Sequence, residues 1–287
     1  MGVREENMKA ALLLLIGCAA LVVLVGGTEP GWAMAEMGTA VSPQPVTVEI
    51  NASEVITWSA YLPFVVRTAV GCQPIPGAEY DTLYVGQVLP NPPAEENPDF
   101  NLAIRGYEPT IAELWLVDYP GPSDPHAPQL RGLFTDGRTP EFTAVYRVYD
   151  WDWDCMCRGP LLTQWAVTLA GMGVAPGETI HVPPSGRDIG SGYEVLVLYA
   201  SEERITLKYT RDDNVVYGYT LHVENVCVEP SLLALYQASN EAGRDWLPAL
   251  EAGQAFGRAR SGQIGVAIRD TGSFMDPRSR KDWWQDR

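Results

Sequence analysis

The sequence predicts a mainly β protein. We expect an antiparallel β-sheet or β-roll domain with one inserted helix in the C-terminal part, preceded by a β-rich N-terminal region. Two observations lead to this fold class. Short segments rich in β-branched and aromatic residues alternate between apolar and polar positions, which is typical of half-buried strands. Stretches rich in proline, glycine and asparagine separate these segments, as surface loops do.

The first 35 residues predict a secretory signal peptide. Arg4 and Lys9 precede an apolar run over residues 10–25, and small residues ending in Ala33-Met34-Ala35 follow. This order of basic, apolar and A-x-A segments is typical of such peptides. The run is shorter than the roughly 20 residues that span a bilayer. We therefore expect a secreted or cell-surface protein cleaved after Ala35; the alternative is an uncleaved segment that anchors the chain in a membrane.

Cleavage would leave a strongly acidic chain. Acidic residues fall from 36 to 33 and basic residues from 20 to 18, so the net charge becomes −15. Such a chain repels phosphate backbones, and we expect no nucleic-acid partner. Residues 36–45 are rich in proline and serine and predict a linker. The β-rich N-terminal region follows over residues 46–172, with predicted strands at 46–50, 55–58 and 143–149.

Four cysteines remain after cleavage: Cys72, Cys155, Cys157 and Cys227. An even number of cysteines in an exported protein predicts two disulfides. On a strand, Cys155 and Cys157 would point to the same face, so we expect each of them to pair with a distant cysteine. The sequence leaves open which of them pairs with Cys72 and which with Cys227.

The C-terminal domain is expected over residues 173–287. A β-meander is predicted first, then a helix whose first turn is favoured by Pro230 and which ends at Gly243. The tail contains Trp283 and Trp284, which we expect to dock against the sheet. The predicted elements are strands at 193–200, 205–210, 215–223, 254–256 and 264–269, with the helix at 231–242.

The strand that begins Gly262-Gln263-Ile264-Gly265 and the preceding turn at 253–257 resemble the closing strands of the lysostaphin-type zinc endopeptidases, which cut peptidoglycan cross-bridges. In that family the strand carries a His-x-His pair that binds zinc and assists catalysis. Gln263 and Gly265 occupy the matching places here. The resemblance therefore implies the family's β domain with a degenerate site that holds no zinc.

The same resemblance matches His222 with the family's separate catalytic histidine on a neighbouring strand. A metal-dependent hydrolase of cell-wall material is the alternative function, and it would use His222 with His181 and Asp188 in an unusual site. Because zinc needs three protein ligands and an open position, this alternative requires the three side chains to converge in one cleft. The leading expectation is a non-catalytic module, without a cofactor, that binds cell-wall glycan, peptide or another envelope protein.

A further candidate site is the run from Tyr149 to Cys155. If it is extended, three aspartates lie on one face and two tryptophans on the other. The carboxylates could bind calcium, and the indole rings could form a platform for sugars. The third interpretation, which we favour, is a half-buried strand with its tryptophans in the core. The residues concerned are Asp150, Asp152, Asp154, Trp151 and Trp153.

Overall fold

The computed structural model describes residues 72–86 and 90–285. The predicted signal peptide, the linker at 36–45 and the strands at 46–50 and 55–58 lie outside the described residues. The described strands are β1 Asp81–Tyr84, β2 Tyr107–Pro109, β3 Phe142–Asp152, β4 Cys157–Leu161, β5 Leu169–Gly173, β6 Thr179–His181, β7 Val195–Ala200, β8 Arg204–Lys208, β9 Tyr219–Glu224, β10 Val226–Val228, β11 Trp246–Leu250, β12 Ala255–Ala259, β13 Gln263–Asp270 and β14 Ser273–Met275. The helices are α1 Leu102–Arg105, α2 Pro230–Glu241 and α3 Arg280–Trp283, with a 3-10 helix at Leu130–Leu133.

Eleven of these strands form one main sheet, which confirms the mainly β fold class. Its order is β1-β11-β7-β8-β9-β13-β5-β3-β2, with β14 beside β13 and β4 beside β3. A second sheet has the order β10-β12-β6, and the strand pairs of both sheets are antiparallel. The main sheet runs through the domain boundary expected between residues 172 and 173. β5 contains both residues, and β3 and β13 flank it from either side of that boundary.

One face of the main sheet carries the apolar core. Ile205 and Leu207 of β8 and Leu221 and Val223 of β9 are almost fully buried there. Period-2 alternation puts these residues on one face and their polar neighbours on the other. The expected docking of the C-terminal tail is confirmed on this core face. The ring of Trp283 lies 5.5 Å from that of Tyr219, and the ring of Trp284 lies 5.8 Å from that of Phe142.

The inserted helix is confirmed as α2. The Glu229 carboxylate accepts hydrogen bonds from the backbone N–H groups of Ser231 and Leu232, so it caps the first turn. Pro230 occupies a first-turn position, where its missing N–H group is not needed. Leu232 and Tyr236 are buried against β7 and β11. The helix therefore covers one end of the face opposite the apolar core.

The two predicted disulfides are present, but the expected pairing with distant partners is wrong for Cys155 and Cys157. Cys72 is bonded to Cys227, and Cys155 is bonded to Cys157. β3 ends at Asp152, and the chain turns before β4 begins at Cys157. The two sulfurs therefore meet across a hairpin turn instead of lying side by side on one strand.

Candidate functional site

The face of the main sheet opposite the apolar core carries polar side chains together with a smaller apolar cluster that includes Leu169, Ala267 and Phe274; we call it the polar sheet face. Residues directly paired across an antiparallel sheet project to the same side. Glu224 of β9 pairs with Arg204 of β8 and Gly265 of β13, and His222 pairs with Thr206 and Ala267. Gln263, Gly265 and His222 therefore lie on one face of the sheet.

His222 lies at the end of this face that is covered by other side chains. It is fully buried, its Nδ1 lies 3.0 Å from the hydroxyl of Thr206, and the ring of Phe274 stacks on it at 5.9 Å. Its Nε2 has no hydrogen-bond partner among the described residues. Burial, with a contribution from nearby Arg269, holds the pKa of His222 well below its ordinary value. His222 is thus a neutral core imidazole that is shielded from solvent.

Two arginines that share one carboxylate cover His222 at this end of the face. Arg105 Nη2 and Arg269 Nη1 both donate to Asp99 Oδ1, at 2.6 and 2.8 Å. Both guanidinium groups also lie over the ring of Phe274, at 5.6 and 4.7 Å from its centroid. Burial alone would raise the pKa of Asp99, but Arg269 and Arg105 outweigh it and lower this pKa. The cluster is a buried structural plug over His222.

The other end of the polar sheet face holds Gln263 and Gly265. The Thr143 hydroxyl donates to Gln263 Oε1 at 2.5 Å, and the Gln263 amide lies over Gly171 so closely that a Cβ there would be 2.6 Å from it. A Cβ on Gly265 would lie 3.2 Å from Cβ of Glu224. This end of the face therefore presents an amide and a hydroxyl, while Gly171 and Gly265 are buried beneath neighbouring side chains.

Aromatic and charged side chains lie around Gly171 and Gly265. The rings of Tyr107 and Tyr146 form an edge-on pair at 5.3 Å. Arg204 Nε donates to Glu224 at 3.0 Å. Burial raises the pKa of Tyr107, and the charge of Glu224 raises it further. We call this region the open trough; its members are Tyr107, Tyr146, Thr143, Gly171, Gln263, Gly265, Arg204 and Glu224.

Glu224 is the most unusual group of the open trough. It is 5% exposed, and burial raises its pKa even though Arg204 counteracts this. The sequence reasoning missed Glu224, Arg204, Tyr107 and Tyr146. A signal was available for Glu224, because it lies two residues after His222 and period-2 alternation puts both on one face. No local pattern linked Tyr107 to it, since that tyrosine comes from a distant edge strand.

His181, Asp188 and His222 do not converge. His181 lies on β6 in the second sheet, whereas His222 lies on β9 in the main sheet. Asp188 lies in the loop between β6 and β7, where its Oδ1 accepts from the backbone N–H groups of Gly190 and Gly192. The described ranges contain no group of three or more His, Cys, Asp or Glu side chains arranged to hold a metal ion. The convergence that the hydrolase alternative requires is therefore not found.

The aspartate and tryptophan run lies on the hairpin formed by β3 and β4, and the favoured interpretation of it is wrong. Trp151 is only partly buried and Trp153 is 45% exposed, so neither ring belongs to the core. Asp150 lies 3.6 Å from Arg105, and Asp152 accepts from the backbone N–H of Asp154. Because β3 ends at Asp152, the alternation that would align all three carboxylates is broken before Asp154.

A second concavity, of about 260 Å³, lies beside the C-terminal half of α2. Its polar groups are largely engaged with each other. Asn240 Nδ2 donates to Glu95 at 2.5 Å, and Arg244 donates to Asn240 Oδ1 at 2.6 Å and to buried Asp213. These contacts tie α2 to the sheet and to the segment before α1.

No family model, curated protein or solved structure matches this chain. The similarity to the lysostaphin-type endopeptidases thus stays a prediction from the sequence. Within residues 72–86 and 90–285, no helix is both long and apolar enough to cross a membrane.

Proposed function

We propose that this protein is an exported, non-catalytic binding protein of the cell envelope or the extracellular space, and that it holds a cell-wall glycan strand in the open trough. The observation that carries the proposal is the Tyr107–Tyr146 pair on the polar sheet face. Tyrosine rings combine a flat apolar face with a polar edge. Such rings pack on the apolar faces of sugars, while nearby amides and hydroxyls bind sugar hydroxyl groups.

The polar groups of the trough suit an uncharged or amino-sugar polymer. Gln263 and Thr143 offer an amide and a hydroxyl, and the ion pair of Arg204 and Glu224 adds one donor and one acceptor group. A few fixed polar groups among aromatic surface are typical of small-ligand sites.

The arrangement of the histidines favours binding over hydrolysis. A zinc peptidase needs ligands that meet at one exposed point. Here His222 is sealed beneath Phe274 and Asp99, and His181 belongs to the other sheet. Gln263 and Gly265, at the expected centre of the site, bring an amide and a residue without a side chain. The trough therefore offers a surface for a polymer, and none of its named members is a histidine.

The test is calorimetric titration of the full chain with glycan strands purified from peptidoglycan, and separately with peptidoglycan stem peptides. Tyr107→Ala should weaken glycan binding about five- to tenfold, since an aromatic contact contributes roughly 1 kcal/mol beyond burial. Tyr84→Ala is the matched control. Tyr84 also lies on a short edge strand, is 46% exposed and pairs with Trp246 at 5.3 Å.

Equal losses in Tyr107→Ala and Tyr84→Ala would contradict the assignment of the trough. Binding of stem peptides without binding of glycan would show that the occupant is a peptide and would overturn the glycan proposal. Release of new reducing ends or new amino groups during incubation would contradict the non-catalytic function.

A further inference from the structure

The tip of the β3–β4 hairpin carries a disulfide that closes a ring over a single residue. Cys155 is bonded to Cys157, and both are exposed together with Met156 between them. Met156 has a φ of 52°, in the left-handed region that non-glycine residues rarely adopt. The stabilisation from a cross-link grows with the length of the loop that it closes, so this bond constrains the unfolded chain very little.

The second disulfide differs from the hairpin-tip disulfide in loop length and in exposure. Cys72 and Cys227 are 155 residues apart, and Cys227 is 7% exposed on β10. A cross-link over such a long loop restricts the unfolded chain strongly. Thiolate attack requires access to a sulfur atom. The two bonds thus differ in both properties: the Cys72–Cys227 bond closes a long loop and one of its cysteines, Cys227, is buried, while the hairpin-tip bond closes a very short loop and both of its cysteines are exposed.

The hairpin does not depend on its disulfide for its shape. β3 and β4 are paired, with Asp152 opposite Cys157. The Asp152 carboxylate accepts from the backbone N–H groups of Asp154 and Cys155, at 2.9 and 3.3 Å. These bonds do not involve the sulfurs. A reduced tip would therefore keep its two cysteines close enough to be oxidised again.

We propose that Cys155 and Cys157 form a thiol–disulfide exchange site for cationic or uncharged thiols. An incoming thiolate attacks one sulfur, the S–S bond breaks, and the other cysteine leaves as a thiolate. A second thiolate then attacks the external sulfur of the mixed disulfide and releases the remaining cysteine thiolate. Two electrons pass from two external thiols to the protein, and the products are the external disulfide and the protein dithiol, which takes up protons from water.

The preference for cationic or uncharged thiols follows from the aspartates of the tip. Asp154 precedes Cys155 in the chain, and Asp152 is paired with Cys157. The nearest cation in sequence, Arg158, donates to the carbonyl oxygens of Ile104 and Ala103, at 2.9 and 3.4 Å, and is directed toward α1. Negative charges beside both sulfurs repel an anionic thiolate reagent and attract a cationic one.

The experiment exposes the oxidised full chain to cysteamine, 2-mercaptoethanol or 3-mercaptopropionate, which differ in charge. Each reaction is quenched by alkylation, and the reduction of each disulfide is followed by peptide mass mapping. Every rate is divided by the rate of the same thiol with an uncharged small disulfide, which removes differences in nucleophilicity. The Cys155–Cys157 bond should be reduced at least about tenfold faster than Cys72–Cys227, because both of its cysteines are exposed whereas Cys227 is buried.

The charge preference is tested in the same reactions. The normalised rate at the hairpin tip should be roughly threefold or more higher for cysteamine than for 3-mercaptopropionate at low salt, and the difference should shrink at 1 M salt. Asp154→Asn should reduce the preference, whereas the distant, exposed Asp118→Asn should not. Equal reduction rates of the two disulfides would overturn the exchange site. Equal normalised rates for the two charged thiols would overturn the proposed thiol class.

Discussion

The plug over His222 depends on one carboxylate, so Asp99→Asn should strongly destabilise the fold. Asp99 Oδ1 accepts hydrogen bonds from both Arg105 and Arg269, whose side chains are each 5% exposed. The substitution keeps the shape of the side chain and removes its charge. It would leave two buried guanidinium groups close together with no carboxylate between them.

The magnitude follows from the geometry. Two unit charges about 4 Å apart interact by about 4 kcal/mol at an effective dielectric constant near 20, and two such attractions are lost. Because the substituted side chain is neutral, folding no longer has to remove a carboxylate from water, and this recovers several kcal/mol of stability. Arg105 keeps the Pro98 carbonyl at 3.0 Å, and Arg269 keeps that of Gly272 at 2.8 Å. We therefore expect a loss of about 3 kcal/mol, at the lower end of the range for breaking a buried ion pair.

The assay is urea unfolding of the oxidised full chain, followed by circular dichroism. The matched control is Asp118→Asn, which removes the exposed partner of Arg280 at 2.9 Å and should change stability by less than about 1 kcal/mol. The midpoint should fall without a change in the dependence of unfolding free energy on urea. A difference of less than about 1 kcal/mol between the two variants would refute the reasoning.

The same substitution has a pH signature. The pKa of Asp99 is lowered below its ordinary value of 3.8, because the two arginines outweigh the effect of burial. The folded carboxylate therefore stays ionised at a pH where the unfolded one takes up a proton. Its stabilising contribution is complete above the unfolded pKa and is lost as the pH falls below it through the folded pKa. Asp99→Asn should lack this component of acid destabilisation; an unchanged acid profile would contradict the role of Asp99.

Three further outcomes are expected. Burial lowers the pKa of Lys208 to about 8, so wild-type stability should rise with pH between about 8 and 10.5. Lys208→Met should remove this rise and should increase the free energy of unfolding at pH 7 by about 1–3 kcal/mol, measured by urea unfolding. His222 should show no imidazole titration by NMR from pH 7.5 to 5.5, because the folded state keeps it neutral; a titration near 6.5 would contradict its burial. Replacing Cys72 and Cys227 by serine should lower the free energy of unfolding by about 4–5 kcal/mol, because this disulfide closes a long loop. Replacing the hairpin-tip pair should lower it by only about 1–2 kcal/mol. Thermal unfolding that ranks the two pairs in the reverse order would contradict this.

Local patterns were sufficient for most elements of the fold. Short apolar and β-branched segments separated by polar turns predicted β7, β8, β9 and β13, because strand-forming residues and turn residues act locally. Pro230 and Gly243 marked both ends of α2, because backbone groups at helix ends have local requirements. The even number of cysteines predicted two disulfides. All of these signals act over a few residues or over composition.

The partners of distant segments could not be predicted in this way. Cys155 and Cys157 looked like neighbours on one strand, but the end of β3 at Asp152 turned them into a cross-hairpin pair. Trp151 and Trp153 alternated like core residues, yet no described residue packs over that hairpin tip closely enough to bury Trp153, which is 45% exposed. Alternation shows that two faces differ; it does not show which of them another layer will cover.

The sequence by itself determined an acidic, antiparallel β protein with one inserted helix and with an amide and a glycine at the positions expected for zinc ligands. Only the tertiary structure decided that His222 is sealed while Gln263 and Gly265 stay at the open end of the same sheet face. Asp99 and Arg105 come from a segment more than 100 residues before His222, and Tyr107 comes from the opposite edge of the sheet. Their contacts depend on the strand order of the main sheet, and strand order follows from the packing of the whole chain, which no local pattern encodes.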